Sequence, residues 1–365
     1  MTTDRKIALV DLGRCEVETF PISMDLEQRF LGGSGVATYL FCKHAPKMVD
    51  PGSADNICIV SAGYLSGTLS APLGAAILTS KTATTGLMAR ACVNGPFAAG
   101  MRRAGFEHLV LKGRAKNETC LLIQDGRISF KEAPGLKDNC LSEQRAILCK
   151  EDPSIEAQLV CIQNKNGDGL FFAADACLSK GKEPDKSGVA AAMAAKNVVA
   201  LACGGTIALE VKDPEGIIAY EKKHLENIDE SLTQNGPDPE IMEGPAGSVD
   251  MAEIKQTLIQ CLGVQCLGLP LGIKNGTNGS ELNFQIAADR ILLNTGLALD
   301  EEKLKEIAYR CIAMERIYNL REGIASKQGQ SAEDYRENGW TRKAVVKKAK
   351  VFEPLRIDDL WSRLK

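Results

Sequence analysis

The stretch from Asp185 to Asn197, DKSGVAAAMAAKN, places a lysine and a serine ahead of one glycine and an alanine-rich run. The spacing predicts a helix from Ser187 to Ala195 whose small side chains permit close approach to a neighbour. The positive end of such a helix, with Lys186 beside it, can bind an anion such as a phosphate. Ser187 or Asp185 can equally serve only as a helix cap, with the alanines packed on a sheet. From these residues alone, the capping role is favoured.

A second candidate is the segment from residue 63 to residue 100, which is rich in glycine, serine, threonine and alanine. Loops of this composition let backbone N–H groups approach a phosphate closely. The same small residues also allow strands and turns to pack tightly. The segment has neither the G-x-x-x-x-G-K-[ST] spacing of a P-loop nor a G-x-G-x-x-G between a strand and a helix. Plain packing is therefore favoured over phosphate binding.

The thirteen cysteines and three histidines have no metal-ligand spacing. No two cysteines form C-x-x-C, and the closest pair is Cys261 and Cys266. An odd number of scattered cysteines without a secretory signal argues against a disulfide framework. We expect most of them to be buried as small hydrophobic side chains in a reducing cytoplasm. The histidines are far apart and are expected to be structural: His44, His108 and His224.

Composition and charge argue against several classes of function. The chain has 365 residues, a formal net charge of −3 and 5% aromatic residues. It therefore has no global attraction to nucleic acid or to an anionic membrane, and few side chains that stack on bases. No apolar run has the length of a membrane span, and the first residues are not typical of a signal peptide. The basic tail, residues 341–365, is expected to be a solvated surface, and nucleic-acid binding through it is a third, weaker alternative.

The hydrophobic patterns predict an α+β protein with a β-rich N-terminal domain and a helical C-terminal region. Residues 1–211 contain strand patterns, with hairpins around Gly13 and at Asp125-Gly126. "VVALACGGTIALEV" is predicted to be one continuous strand. After Asp213-Pro214 the apolar spacing becomes helical, so we assign 212–340 to a second domain. Helices in the first domain are predicted over 24–42, 96–104, 141–150 and 187–195.

Five segments together resemble the tungsten-containing aldehyde ferredoxin oxidoreductase family. They are FLGGSGVATYLF, GYLSGTLSAPLGAAILTSKTATTG, RRAGFEHLVLKGRA, SGVAAAMAAKNVVALACGG and AMERIYNLREG. They follow the order found in the family and cover most of residues 1–211 and roughly 255–323. The resemblance implies an N-terminal base of twisted β-sheets that carries a bis-pterin tungsten cofactor. Helical domains that hold a [4Fe–4S] cluster would close over it.

The resemblance also implies where the cofactor phosphates and a bridging magnesium would lie. The corresponding positions in this chain are Ser34, Ala75, Cys92, Asn94, Gly95, Lys186, Ser187 and Gly188. Together with Pro96, these loops are expected to line one cleft. Ser34 and Ala75 stand where the family has arginines, and Cys92 stands where it has an asparagine near the magnesium. Each lost charge-assisted hydrogen bond is worth on the order of 1.5–3 kcal/mol.

The ligands of the family's iron–sulfur cluster are not matched. The family carries a C-x-x-C-x-x-x-C motif and a proposed acid/base Glu and His in a block between the N-terminal domain and the C-terminal helices. That block has no counterpart here. The family's fourth cluster cysteine aligns with Gln265, so Cys266, one residue later, is a weak metal candidate. A cluster needs about four thiolates that converge on it.

We therefore predict a degenerate paralogue that keeps the family scaffold without catalysis. It would serve as a subunit or bind another small ligand in the old cleft. The predicted partner is a full-length family homologue, a ferredoxin-type protein or a second copy of the chain. No cofactor is expected in the isolated chain, whereas the family's cofactors are tungstopterin, Mg and [4Fe–4S].

The alternative is an active oxidoreductase that acts on an aldehyde or another oxo group donor. It would retain a pterin cofactor and use a partner chain for electron transfer.

Overall fold

The structure, a computed structural model, describes residues 5–71, 73–139, 141–151, 158–164, 170–174, 187–225, 249, 251–264 and 282–322. The strands in these ranges are β1 Lys6–Asp11, β2 Glu16–Pro21, β3 Cys58–Ala62, β4 Ala75–Lys81, β5 Met88–Asn94, β6 Phe106–Lys112, β7 Thr119–Gln124, β8 Arg127–Glu132, β9 Gln158–Asn164, β10 Leu170–Ala174 and β11 Val198–Gly204. The α-helices are α1 Met24–Phe30, α2 Gly33–His44, α3 Phe97–Arg103, α4 Leu141–Glu151, α5 Val189–Ala194, α6 Pro214–Leu225, α7 Met251–Leu262, α8 Phe284–Thr295 and α9 Glu301–Arg321.

The strands form two mixed sheets. The first has the order β2-β1-β6-β3-β4-β5 and the second the order β10-β9-β11-β7-β8. In each sheet one pair is parallel, β1 with β6 and β7 with β11, and the other neighbours are antiparallel. Both predicted hairpins are confirmed. At the second turn Asp125 and Gly126 have φ values of 36° and 83°, the left-handed conformation that a two-residue hairpin turn requires.

Two hydrophobic cores hold these layers together. One lies between the first sheet and the helices α2, α7, α8 and α9. The other joins residues of both sheets with α3 and α5. The α+β fold class is confirmed, with a β-rich N-terminal part and helices in the C-terminal part. Because α7, α8 and α9 share a core with the first sheet, the helical region packs directly on the β-rich part. The division into domains at residue 211 remains a prediction.

Two sequence-based elements differ from the structure. The single helix predicted over 24–42 is wrong, because α1 ends at Phe30 and α2 begins at Gly33. Between them Leu31 has a φ of 58°, and a Cβ on Gly32 would lie 2.9 Å from the Tyr64 nitrogen. The strand predicted over 198–211 ends at Gly204. These ends depend on contacts between distant parts of the chain, which local patterns do not report.

A carboxylate inside the first sheet pairs with two arginines. Glu107 on β6 is 3% exposed and accepts hydrogen bonds from Arg5 Nη2 at 2.6 Å and Arg102 Nε at 2.9 Å. Burial alone would raise the pKa of Glu107, but the two guanidinium charges hold it well below its usual range. Arg5 also forms an ion pair with Glu27, whereas Glu107 is the carboxylate that compensates the buried charge of Arg102.

We predict that Glu107→Gln lowers the free energy of unfolding by about 3–5 kcal/mol, because it leaves buried positive charge uncompensated. Urea unfolding followed by circular dichroism measures this. Glu302→Gln is the matched control, since Glu302 is 81% exposed in its pair with Lys305. Equal urea midpoints for the two variants would contradict the prediction.

A buried histidine lies beside Glu107. His108 Nδ1 is 2.6 Å from Ser61 Oγ, and both side chains are fully buried. Its Nε2 has no hydrogen-bond partner among the described residues. Burial lowers the pKa of His108 to about 4, because the charged ring would lose its hydration; the nearby Arg5 and Arg102 charges lower it further, against the opposing effect of Glu107.

Since the folded state holds this ring neutral, the unfolded state binds more protons between pH 6.5 and pH 4. The free energy of unfolding should therefore decrease as the pH is lowered, by about 2 kcal/mol between pH 7.5 and pH 5 for this one group. His108→Gln should remove that part of the slope. Ser61→Ala keeps the ring buried and should retain it. Urea unfolding at several pH values tests both, and an unchanged slope in His108→Gln would refute the assignment.

Candidate functional site

Four of the predicted site residues lie at one end of the β4–β5 pair. Ala75 and Asn94 are register partners across the two strands. The exposed Cys92 thiol donates to Asn94 Oδ1 at 3.1 Å. The Gly95 N–H donates to the Gly74 carbonyl at 3.2 Å, with Gly95 at a φ of 126° that favours glycine. The antiparallel register thus brings these four positions together.

Ser34 lies near the start of α2 and is covered by α7. It is 1% exposed. Its Oγ lies 3.4 Å from the Thr257 carbonyl oxygen and 3.4 Å from the Cys261 sulfur. The hydroxyl is therefore engaged with another helix of the same chain.

The end of α7 reaches the glycine-rich loops of the first sheet, in an arrangement we call the α7 contact: residues 63–65 against residues 260–263. The Tyr64 and Leu65 N–H groups donate to the Cys261 and Leu262 carbonyls, each at 3.0 Å. These bonds satisfy carbonyls that the end of a helix leaves without partners. A Cβ on Gly63 would lie 2.2 Å from Gly263 Cα, so the two backbones meet only because both residues are glycine.

The α7 contact extends to the other predicted positions. A Cβ on Gly33 would lie 2.1 Å from the Gln260 carbonyl oxygen, and a Cβ on Gly263 would lie 3.1 Å from the Ala75 oxygen. Ala75 is fully buried, and its N–H donates to Ser66 Oγ at 3.2 Å. Sequence analysis considered these small residues as candidates for phosphate binding. In the structure they allow one stretch of backbone to pack closely on another.

Ser187 and Gly188 lie at the opposite end of the β4–β5 hairpin. A Cβ on Gly188 would lie 2.7 Å from Thr84 Oγ1 and 3.2 Å from Thr82 Cβ. Thr82 is seven residues beyond Ala75 along extended chain, or about 23 Å at roughly 3.3 Å per residue. The expectation that all these loops line one cleft is therefore not met by the described residues. Lys186 and Cys266 lie outside them.

The alanine-rich helix α5 packs on other parts of the protein. This agrees with the alternative in which Ser187 only caps the helix and the alanines pack on a sheet. Ser187 Oγ accepts from the Val189 N–H at 3.3 Å, and α5 runs over six residues, shorter than predicted. Val189, Ala190 and Met193 are buried in the core that joins the sheets. This end of the candidate site is a packing contact between α5 and the strands around it.

Sequence reasoning missed a polar cluster beside Ser34. Arg90 on β5 donates to Glu315 Oε2 at 2.6 Å and to Thr38 Oγ1 at 2.7 Å. These contacts tie β5 to α9 and α2. Arg90 and Glu315 are 225 positions apart, so no local pattern in the sequence indicates the pair.

An open cleft was also missed. It has a volume of about 450 Å³ and lies where the loop after β3 meets the segment before α6. Arg103 is the charged residue of its lining, which is otherwise small or apolar: Gly67, Thr68, Leu69, Ala208, Leu209, Val211 and Pro214. None of the predicted site residues lines it. Gly67, Thr68 and Leu69 belong to the segment from residue 63 to residue 100 that the sequence analysis named, but no pattern in that segment marks this cleft.

Ser34 and Ala75 do not fit the phosphates of the pterin cofactor that the resemblance implies. A dianionic phosphate is held by cationic side chains and free N–H donors. Ser34 has its hydroxyl directed at α7, and Ala75 has its N–H bonded within the chain. At these two positions the structure supplies neither charge nor free donors for a pterin phosphate.

Neither a metal-binding cluster nor a membrane-spanning helix occurs in the part of the chain that the structure describes. No group of three or more His, Cys, Asp or Glu side chains there is arranged to hold a metal ion. None of the described helices combines the length and apolar character needed to cross a membrane.

Comparisons with known proteins agree with the two-sheet architecture. Residues 7–205 match the family model described as aldehyde ferredoxin oxidoreductase, N-terminal domain. The tungsten-containing aldehyde ferredoxin oxidoreductase of Pyrococcus furiosus is 28% identical over 221 residues, which are 60% of this chain and 36% of that protein. The corresponding protein of Thermococcus kodakarensis is 27% identical over 221 residues, with the same coverage of 60% and 36%.

Two further proteins, which have other names, show a more distant similarity to this chain. The aliphatic sulfonate oxidoreductase, WOR-like subunit, of Pyrococcus furiosus is 25% identical over 131 residues, 35% of this chain and 21% of that protein. A solved structure, the active site complex BamBC of benzoyl coenzyme A reductase with 1,5-dienoyl-CoA, matches with a TM-score of 0.53 at 24% identity. It covers 66% of this chain and 36% of that one, and this likeness supports the fold alone.

The chain spans a little over a third of the length of the two aldehyde oxidoreductases, 36% in each case. The family model, in contrast, covers more than half of the 365 residues in this chain. On that match the chain belongs to the aldehyde ferredoxin oxidoreductase family.

Proposed function

We propose that this chain is a non-catalytic scaffold or subunit within its family and does not itself carry tungstopterin or a [4Fe–4S] cluster. The observation that supports this most strongly is the α7 contact. Two of the positions where relatives are expected to hold cofactor phosphates, Ser34 and Ala75, are here in contact with the C-terminal end of α7.

The chemistry of that contact argues against a phosphate site. The Tyr64 and Leu65 N–H groups already donate to α7 carbonyls, so they are not free for an anion. Carbonyl oxygens carry partial negative charge, and three of them, from residues 260–262, face the loops and the start of α2. Negative dipoles at this position repel a phosphate. Ser34 and Ala75 add no positive charge.

The distribution of thiols supports the same proposal for the cluster. Cysteines of the printed sequence have no C-x-x-C spacing. Of the eight cysteines whose side chains the structure describes, six are buried, and the exposed two are Cys15 and Cys92. Cluster ligands must converge on one point as thiolates. Among the described residues, no three of these thiols, alone or with His, Asp or Glu, converge on one point.

A subunit role requires a partner, and we propose a longer family homologue, in the cytoplasm. Two of the similar proteins are named as a subunit and as a complex. The cleft beside Leu69, which is 49% exposed, and Arg103 offers an apolar surface with one charge for such a contact. If the partner is instead a ferredoxin-type protein or a second copy of the chain, purification of the chain with its partner would show this.

Metal and pterin content tests the proposal. The chain purified anaerobically from its own host should contain no stoichiometric iron, tungsten or molybdenum once separated by gel filtration. It should also release no fluorescent pterin after oxidation. A longer homologue purified alongside is the positive control. Stoichiometric metal and pterin in fractions that hold this chain alone would overturn the proposal in favour of an enzyme that retains its pterin.

A substitution tests the closed site directly. Ser34→Arg restores the family's residue but places a charge against Thr257 and Cys261. We expect a loss of about 3 kcal/mol or more in unfolding free energy, from overpacking and a buried unpaired charge. Phosphate should not raise the melting temperature of the variant. Asn94→Arg, at a half-exposed position, is the control and should fold normally.

The contrary result is equally clear. If Ser34→Arg folds as well as the wild type and is stabilised by phosphate, the position faces an open anion site. The alternative, an oxidoreductase that acts on an aldehyde or oxo group donor, would then be favoured.

A further inference from the structure

The open cleft between the loop after β3 and the segment before α6 has the size and composition of a small-molecule site. Its volume of about 450 Å³ lies within the range of about 300–1,000 Å³ that is typical of such sites. These sites combine apolar walls with a few polar groups that orient the ligand. The apolar lining here comes from two separate parts of the chain: Leu69, Ala208, Leu209, Val211 and Pro214.

The first wall of the cleft, the loop that carries Leu69, is held in one conformation by hydrogen bonds. Within the loop, the Gly67 N–H donates to the Ala71 carbonyl at 2.7 Å. Next to Leu69, Ser70 Oγ donates to Glu221 Oε1 on α6 at 2.7 Å. Ser70 is 1% exposed, so water does not compete for this bond. The loop therefore keeps its shape whether or not the cleft is occupied.

Glu221 is fixed in turn by α8. The buried Arg290 donates to both carboxylate oxygens of Glu221, from Nε at 2.8 Å and from Nη2 at 2.6 Å. Asn294 Nδ2 on the same helix donates to Ser70 Oγ at 2.8 Å. The loop, α6 and α8 thus form one network. A wall that is already ordered loses little conformational entropy when a ligand binds.

The opposite wall, residues 207–213, is fixed at both ends by backbone hydrogen bonds. At one end the Ile207 N–H donates to the Arg103 carbonyl at 3.1 Å. At the other end the Asp213 N–H donates to the Leu293 carbonyl on α8 at 2.9 Å. Both walls of the cleft are therefore formed before any ligand arrives.

Arg103 supplies the positive charge of the lining, and its guanidinium is not engaged. It lies in the last turn of α3 and is exposed. Its neighbour Arg102, in contrast, is buried and donates to Glu107 at 2.9 Å. None of the described residues forms a hydrogen bond or an ion pair with the Arg103 side chain. Thr68 Oγ1 already donates to the Leu65 carbonyl at 2.7 Å, so Arg103 is the donor that remains for a ligand.

The carboxylates beside the cleft do not take the place of such a ligand. Asp213 Oδ1 accepts from the Gly216 N–H at 2.9 Å, at the start of α6. The Glu221 carboxylate is bonded to Ser70 and Arg290. A guanidinium forms two parallel hydrogen bonds with a carboxylate, whereas a phosphate is usually held by several donors. One arginine among apolar walls therefore matches a carboxylate with an apolar body.

We propose that this cleft binds a small aliphatic carboxylic acid. The carboxylate pairs with the Arg103 guanidinium, and the chain lies on the apolar side chains of Leu69, Leu209 and Val211. This inference goes beyond the subunit role proposed above and does not depend on it. The chain can lack metal and pterin and still fail to bind a carboxylate, so the two proposals are tested separately.

The test is a titration of the full chain, labelled at its leucine and valine methyl groups, with octanoate. Leu69→Ile and Leu209→Ile assign the methyl signals of the two residues. Octanoate should shift these signals and saturate them with a Kd on the order of 1 mM or tighter. Octylamine, which has the same chain and the opposite charge, should bind about tenfold more weakly or worse. Butanoate, which lacks four methylenes, should also lose about tenfold or more.

A substitution assigns the charge. Arg103→Gln should weaken octanoate binding about tenfold or more, because a hydrogen-bonded ion pair is lost. Arg14→Gln is the matched control and should bind as the wild type does, since Arg14 is an exposed arginine in the turn between β1 and β2.

Three results would each overturn the proposal. They are the absence of saturable shifts at Leu69 and Leu209, octylamine or butanoate binding as tightly as octanoate, and unchanged octanoate affinity in Arg103→Gln. The comparison of the three probes on the wild-type chain decides the question even if a variant fails to fold.

Discussion

The fit of the last turn of α7 into the glycine-rich loops of the first sheet is the interaction on which the rest of the structure depends. Helix ends carry carbonyls that need donors, and Tyr64 and Leu65 provide them through their backbone. Glycines at residues 33, 63 and 263 remove the side chains that would separate the two backbones. Once α7 lies there, α2 and α9 enclose Ser34, Cys261 and Arg90 in one polar cluster.

This contact would allow the family scaffold to persist in the non-catalytic role proposed above. The two mixed sheets and their connecting helices are those of the family's N-terminal domain. Their stability comes from cores and buried ion pairs, such as Glu107 with Arg5 and Arg102, that involve none of the predicted site residues. The fold therefore does not need a bound cofactor to fill the positions at Ser34 and Ala75, because protein fills them.

Local patterns in the sequence predicted much of the fold. Turn chemistry predicted the hairpins at Gly13 and Asp125-Gly126, and apolar spacing predicted the helices after Asp213. The order of the five motifs indicated the family. The site was less predictable, because its contacts join distant residues. Ser34 meets Cys261 across 227 positions. Gly188 was grouped with Ala75 by resemblance, yet the hairpin between β4 and β5 separates them along its whole length.

Amide hydrogen exchange at Tyr64 and Leu65 tests the central claim most directly. If both N–H groups are bonded to α7, they should exchange only on global unfolding, as slowly as core amides such as that of Val60, whether or not phosphate is present. The account would be contradicted if these two amides exchanged rapidly in the folded protein and became protected only when phosphate was added. That result would mean that the loop donors are free and that the anion site of the family is open.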